Sequence, residues 1–132
     1  MIRRLVIVFI IFIFSFHNAL ALFNDSLIIG TWKGTSLCQV KDSPCHDEIA
    51  MYHIMKGNQS GVYRFVMNKV VDGKEEDMGE IDYTYDAAAG TLTNIDEARK
   101  IIWKFTVKDK AMEGTLFYKG RLYRIIKLAK EK

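Results

Sequence analysis

The sequence predicts an all-β protein, an eight-stranded antiparallel up-and-down barrel that follows a cleaved N-terminal signal peptide. Three observations lead to this fold class. Short β-rich runs alternate with Gly, Asn and Asp at roughly ten-residue spacing, which is typical of antiparallel sandwiches and barrels. From Trp32 onward no stretch keeps the apolar period of about 3.6 residues that marks an amphipathic helix. The connections are short, and a long meander can remove its open edges by closing on itself.

The predicted strands follow one another through turns with recognisable chemistry. Asp72-Gly73 is a strong hairpin signal, because these residues accept the positive φ angles of a two-residue turn. The acidic stretch 74–77 is expected to belong to this solvated turn. We expect strands at residues 32–40, 48–56, 62–71, 78–85, 91–94, 100–107, 112–118 and 122–128.

The N-terminus has the layout of a secretory signal peptide. Arg3 and Arg4 precede an apolar run at 5–16, and Ala19-Leu20-Ala21 is a small-x-small cleavage site. The run is about 12 residues long, whereas roughly 20 are needed to span a bilayer, so an uncleaved anchor is the less favoured alternative. We expect cleavage after Ala21, one β-barrel domain at 22–132, a secreted or periplasmic location and no stable membrane insertion after cleavage.

The charge of the mature chain argues against nucleic-acid binding. Removal of Arg3 and Arg4 lowers the formal net charge from +3 to +1, and charges of both signs are interspersed. A nucleic-acid-binding surface needs a strong basic excess on one face. We therefore expect no nucleic-acid partner.

The two cysteines, Cys38 and Cys45, predict a disulfide that closes a small loop. An exported protein folds in an oxidising compartment, where neighbouring cysteines normally pair. Asp42, Ser43 and Pro44 supply a turn between them. A metal site with His46 is the alternative, but two thiols and one imidazole are a poor zinc ligand set. We expect no metal and no cofactor.

No catalytic constellation stands out, so the candidate site residues are binding residues. His53 shares a strand face with Met51 and Met55 and would be a polar ligand contact if that face lined the interior. Arg64 lies between aromatic residues. If it points inward it could hold a ligand carboxylate, and if it points outward it serves only solubility, which is the favoured alternative.

The Gly30-Thr31-Trp32 motif, the eight-strand meander and the basic-aromatic last strand at 122–127 resemble the calycin group, which includes lipocalins, fatty-acid-binding proteins and avidins. The resemblance implies that Trp32 closes one end of the barrel and that a basic residue, Arg124 or Arg121, packs over it. The chain lacks the C-terminal helix of lipocalins and the helical lid of fatty-acid-binding proteins. A disulfide loop like the one predicted between Cys38 and Cys45 is not characteristic of either family.

We expect an exported, non-enzymatic protein that binds a small, mostly apolar ligand in the barrel, with Trp32 closing the base, Arg124 packing on it, and His53 and Arg64 as candidate polar contacts. The alternative is a protein partner, with the disulfide hairpin acting as an inhibitor of a secreted hydrolase. The volume of the interior separates the two hypotheses. An apolar cavity of roughly 300 Å³ or more favours the ligand, whereas a filled interior with an exposed rigid hairpin favours the inhibitor.

Overall fold

A computed structural model describes residues 25–132, which form a closed barrel of eight antiparallel strands. A short 3₁₀ turn, Asp25–Leu27, precedes the barrel. The strands are β1 (Gly30–Cys38), β2 (Glu48–Lys56), β3 (Val62–Val71), β4 (Lys74–Asp86), β5 (Thr91–Asp96), β6 (Ile101–Lys108), β7 (Ala111–Tyr118) and β8 (Arg121–Lys130). Each strand pairs with the next, and β8 pairs with β1. The predicted fold class is confirmed, and the architecture is consistent with a calycin-like barrel. The predicted signal peptide lies outside the described residues.

The hairpin between β3 and β4 corrects one boundary. Asp72 and Gly73 both have positive φ, at 51° and 76°, so this two-residue turn matches the twist of the strands beside it. The strands therefore pair right up to the turn, and residues 74–77 belong to β4 instead of a loop. Pairing of Glu76 with Lys69 in register adds opposite charges across the ladder.

Alternating burial along the strands separates an interior face from an outer face. The interior of one half of the barrel is filled by large side chains, many of them aromatic. Tyr52, Phe65, Tyr83 and Phe105 contact one another with ring centroids 4.2–6.4 Å apart, a spacing typical of tilted and edge-to-face aromatic pairs. Burial of both phenols raises the pKa values of Tyr52 and Tyr83.

The predicted disulfide is present. Cys38 and Cys45 are bonded, with their Cα atoms 5.9 Å apart, and they close the loop between β1 and β2. Among residues 25–132, no helix has the length and apolar character needed to cross a membrane.

The wall of the barrel is incomplete between β4 and β5. These strands share only three residue pairs, Thr84–Thr93, Tyr85–Leu92 and Asp86–Thr91, whereas β5 pairs with β6 along its whole length. Before Thr84, β4 diverges from β5, and a bulge at Met78 and Gly79, opposite Met67 of β3, accompanies the divergence. A bulge bends its strand and increases its twist, which gives a physical reason for the separation. We call this opening the β4–β5 split.

Candidate functional site

One end of the barrel is closed by Trp32. This side chain is fully buried, and its indole Nε1 donates a hydrogen bond to the carbonyl oxygen of Ile28 at 2.9 Å. Ile28 is itself fully buried, and the two residues fill this end of the interior. We call it the closed end.

The basic residue beside Trp32 is Lys130, and the expectation that Arg124 or Arg121 packs there is wrong. The Lys130 ammonium lies 5.7 Å from the centre of the Trp32 ring, within the range of a cation–π contact. Strand register explains the difference, because Trp32 pairs with Lys130 whereas Arg124 pairs with Cys38. Six residues separate the two basic side chains along β8, or about 20 Å at 3.3 Å per residue. Arg121 lies farther still and bonds Asp42 at 2.9 Å.

Arg124 instead lies at the opposite end, which we call the open end, with its guanidinium in the barrel interior. Only 13% of its side chain is exposed. Its Nη1 donates to the carbonyl oxygen and Oγ of Ser36, both at 3.2 Å, and to the carbonyl oxygen of His46 at 3.0 Å. Its Nη2 lies 3.5 Å from a carboxylate oxygen of Glu48. Tyr52 lines the same cavity as Ser36, Glu48 and Arg124. Four polar side chains thus meet in one small region.

The opposite wall at the open end is apolar. Trp103 and Leu116 lie there on the interior faces of β6 and β7, and with the polar cluster they enclose a cavity of about 190 Å³. A second cleft of about 260 Å³ adjoins it and shares both residues. The other lining residues of that cleft are Ile101, Tyr118 and Tyr123. The open end therefore offers an apolar wall facing a charged pair, which suits an amphipathic molecule.

The disulfide loop forms part of the rim and is fastened to the barrel. Asp47 accepts a hydrogen bond from the Cys38 amide at 2.8 Å, and Asp42 pairs with Arg121. This pairing lowers the pKa of the Asp42 carboxyl. The Ser43 hydroxyl lies 3.3 Å from that of Tyr123, so the loop also contacts the apolar cleft. The loop is held in one position at the mouth of the cavity.

His53 lies on the outer face of the barrel, because Tyr52 and Ile54 beside it point inward. Its Nδ1 lies 3.1 Å from the Thr31 hydroxyl, and its Nε2 lies 2.5 Å from a carboxylate oxygen of Glu75. This bond lowers the pKa of the Glu75 carboxyl. His53 was expected to contact a ligand only if it pointed into the barrel interior, and it does not.

Arg64 also lies on the outer face, as the favoured alternative supposed. It binds Asp82 with two hydrogen bonds, from Nε at 2.8 Å and from Nη2 at 3.1 Å. The guanidinium lowers the pKa of the Asp82 carboxyl, and the carboxylate in turn raises the pKa of Arg64. Of the four predicted binding residues, only Arg124 lines the open-end cavity.

A polar crevice of about 490 Å³ lies at the closed end, outside the barrel, beneath the loop 57–61. Its charged groups already bind one another. Asp25 accepts a hydrogen bond from Tyr63 at 2.5 Å and pairs with Lys56 at 2.7 Å. The Lys56 ammonium lowers the pKa of Asp25, while burial and the bond to Asp25 raise the pKa of Tyr63. The charged groups of this crevice are therefore less available to bind a ligand than those of the open end.

Sequence reasoning missed Trp103, Leu116 and Glu48. The alternation Ile101, Trp103, Phe105 along β6 is visible in the sequence and would have placed Trp103 on an interior face. What alternation cannot show is which half of the interior stays open. The contact between Glu48 and Arg124 could not be predicted either, because these residues lie on β2 and β8, the two strands on either side of β1. Ser36 of β1 pairs with Glu48 on one side and with Ile126, two residues from Arg124, on the other.

Comparison of the chain with protein-family models and with curated proteins finds no match. Within residues 25–132, no group of three or more His, Cys, Asp or Glu side chains is arranged to hold a metal ion.

Proposed function

We propose that this chain is an exported, non-enzymatic, lipocalin-like binding protein that holds a small ligand at the open end of its barrel. The observation that carries the proposal is the meeting of Arg124 and Glu48 with the apolar wall of Trp103 and Leu116 around one cavity. The disulfide supports an oxidising, extracytoplasmic location.

The cavity volume sets the size of the ligand. At about 190 Å³ the interior cavity is smaller than the roughly 300 Å³ that favours a fully enclosed ligand, so the proposal depends on a small ligand or on one that also occupies the adjoining cleft of about 260 Å³. A cavity of about 150 Å³ takes one benzene ring, so this one takes a ring with a small substituent. A larger ligand would extend into the adjoining cleft toward Tyr118.

The charged residues that line the cavity indicate whether the polar group of the ligand is charged or neutral. Arg124 and Glu48 neutralise each other, and each is still close enough to the cavity to bond a guest. A carboxylate would be repelled by Glu48 and an ammonium by Arg124. A neutral group that both donates and accepts, such as an amide or a hydroxyl, can bond the two residues at once. We therefore propose a ligand with an apolar body and an uncharged polar end.

Three matched probes test this chemistry: benzamide, benzoate and benzylamine, titrated against the protein by ligand-observed NMR and by Trp103 fluorescence. Benzamide should bind most tightly, with a Kd near the millimolar range expected of so small a ligand. Glu48→Gln should shift the preference to benzoate, because it leaves the Arg124 cation without its carboxylate. Arg124→Met should shift it to benzylamine for the converse reason.

A filling variant tests the location of the site. Leu116→Phe adds bulk to the cavity wall and should weaken benzamide binding at least about tenfold, whereas Ile95→Phe, the matched change at an exposed outer position, should leave it unchanged. Native mass spectrometry of each variant, exported and purified without detergent, shows whether a co-purifying ligand follows the same pattern. Absence of binding by all three probes, with a clean apo mass, would contradict the proposal.

A second candidate function is inhibition of a secreted hydrolase by the disulfide loop. The packed closed half and the fastened, exposed loop around Lys41 favour it, since a rigid loop loses little entropy on binding. Inhibition of secreted glycosidases and proteases by the intact protein is the test. Lys41→Glu should abolish that inhibition, and Leu116→Phe should not.

A further inference from the structure

The β4–β5 split exposes a strand edge that is paired on one side only. Among residues 25–132, the part of β4 from 74 to 83 pairs with β3 and has no register partner on the β5 side. Open edges of this kind are templates for the addition of another strand, so natural proteins pair, cover or charge them.

The directions of the backbone groups at the split follow from the ladder. The Tyr85 amide donates to the Gly61 carbonyl on the β3 side, and backbone groups alternate in direction along a strand. The amides and carbonyls of Glu80 and Asp82 therefore point into the split. The Asn94 side chain reaches across it and donates to the Asp82 carbonyl at 2.9 Å, in place of a ladder hydrogen bond.

A crevice of about 270 Å³ occupies the split, with Ile81, Ile101 and Trp103 on its interior side. Trp103 and Ile81 also line the open-end cavity, so the crevice leads into the barrel. A strand lying along β4 would turn every second side chain toward this apolar interior. Those positions would suit small apolar residues such as valine.

The outer side of the split is acidic. Glu80 and Asp82 lie on the outer face of β4, and Glu97 follows β5. Arg64 lies beside both Asp82 and Glu80, at 2.8 and 3.9 Å, and Arg99 lies 3.7 Å from Asp96. These two cations offset only part of the charge of the four carboxylates at 80, 82, 96 and 97. The alternate side chains of an added strand would face these carboxylates, where lysine or arginine is favoured. A second copy of this chain would present the same acidic edge and be repelled.

The apolar residues beside the split are unusually exposed. Met78 of β4 and Ile95 of β5 have 55% and 61% of their surface accessible to solvent. Both lie beyond the three residue pairs that join β4 and β5, and Met78 also lines the open-end cavity. Together, the free edge, the apolar inner wall of the crevice and the acidic outer row define one complementary sequence pattern.

We propose that the β4–β5 split is a docking site for an extended segment of a partner protein with alternating basic and small apolar residues, which adds as a strand along the free edge of β4. Main-chain hydrogen bonds to Glu80 and Asp82 supply the pairing, with a backbone amide of the added strand replacing the Asn94 side chain as donor to the Asp82 carbonyl. Alternate side chains supply the specificity.

The experiment uses a heptapeptide with blocked ends, Lys-Val-Lys-Val-Lys-Val-Lys, titrated against the whole protein. Trp103 fluorescence and the NMR amide shifts of Glu80 and Asp82 report binding. The Trp103→Phe variant, which keeps only Trp32, shows that the fluorescence change comes from Trp103. The Glu-Val peptide of the same length should bind at least about tenfold more weakly. A Lys-Val peptide with N-methyl groups on the edge that faces β4 should also lose its binding, because it cannot donate hydrogen bonds.

Charge reversal at two glutamates locates the docking site. Glu80→Lys should weaken binding of the Lys-Val peptide about fivefold, as two surface charge contacts of about 0.5 kcal/mol each would imply. Glu113→Lys, the same change on the exposed face of the fully paired β7, should not. Leu116→Phe, which fills the ligand cavity, should leave peptide binding intact.

Equal affinity for the Lys-Val and Glu-Val peptides would overturn the proposal, as would unimpaired binding of the N-methylated peptide. Shifts confined to residues away from β4 and β5 would do the same. Self-association of the chain that is lost in Glu80→Lys would assign the edge to a second copy instead, and would equally overturn it.

Discussion

Gly34 lies where β1 and β8 approach so closely that no side chain fits between them. A Cβ atom built on Gly34 would lie 1.8 Å from the carbonyl oxygen of Lys127, a backbone atom that cannot turn away. At Gly114 a Cβ would meet the Phe105 ring at 2.3 Å. Both glycines are interior positions, so the absence of a side chain allows the barrel to close around its aromatic core.

Gly34→Ala should therefore destabilise the protein by about 3 kcal/mol or more, because β1 or β8 must shift to admit the methyl group. Chemical denaturation with the slope held common to both proteins measures the change. Thr35→Ala, on the exposed face of the same strand, is the control and should cost under about 1 kcal/mol. Equal midpoints for the two variants would contradict the close approach of the strands.

The outer faces of β3 and β4 form a ladder of opposite charges at the scale of the strand pair. Arg64 lies directly opposite Asp82 in register and holds it with two hydrogen bonds. The pKa of Asp82 is lowered from its usual 3.8 by this contact. A carboxyl whose pKa is lower in the folded state stabilises the fold above its unfolded pKa, and that stabilisation is lost as the pH falls through the folded value.

Arg64→Gln should therefore lower the melting temperature at about pH 6, and the difference from the parent protein should shrink from about pH 4 downward. Thermal unfolding at several pH values measures it. Lys104→Gln removes an exposed cation from β6 and serves as the control for net charge. A difference between Arg64→Gln and the parent that stays constant with pH would show that the Asp82 contact does not contribute in solution.

At the scale of the whole molecule, the barrel is packed in one half and open in the other. Trp32 and the aromatic cluster around Phe65 fill the closed half, while the open half contains the cavity, the cleft and the split, which all meet at Trp103. Local stability follows the density of buried apolar contacts, so the two halves should differ in their protection from solvent.

Hydrogen exchange should show this asymmetry and the free edge together. The Ile81 amide points toward β3 and should exchange slowly, whereas the neighbouring amides of Glu80 and Asp82 point into the split and should exchange at least about a hundredfold faster. NMR-detected exchange at neutral pH resolves the three residues. Similar protection of all three would mean that β5 closes on β4 in solution.

Local patterns in the sequence are enough to predict the barrel, its strand order and its disulfide. Alternating side chains, Asp72-Gly73 and the short loop between Cys38 and Cys45 act over a few residues, and each was confirmed. The boundary at Lys74 was placed wrongly because charged residues favour turns on average, whereas here a tight turn brings them into the ladder.

The contacts between side chains of distant strands could not be predicted from these local patterns. Strand register placed Lys130, and not Arg124, beside Trp32, and it turned His53 outward. A shift of one residue between paired strands exchanges the interior and outer faces, and no local signal in the sequence specifies that register across distant strands. The β4–β5 split could not be predicted for a similar reason. It depends on the number of residue pairs that β4 and β5 form beyond their turn, and no local pattern specifies that number. The pairing of β1 with β8, nearly a hundred residues apart, supplies the information that local patterns lack.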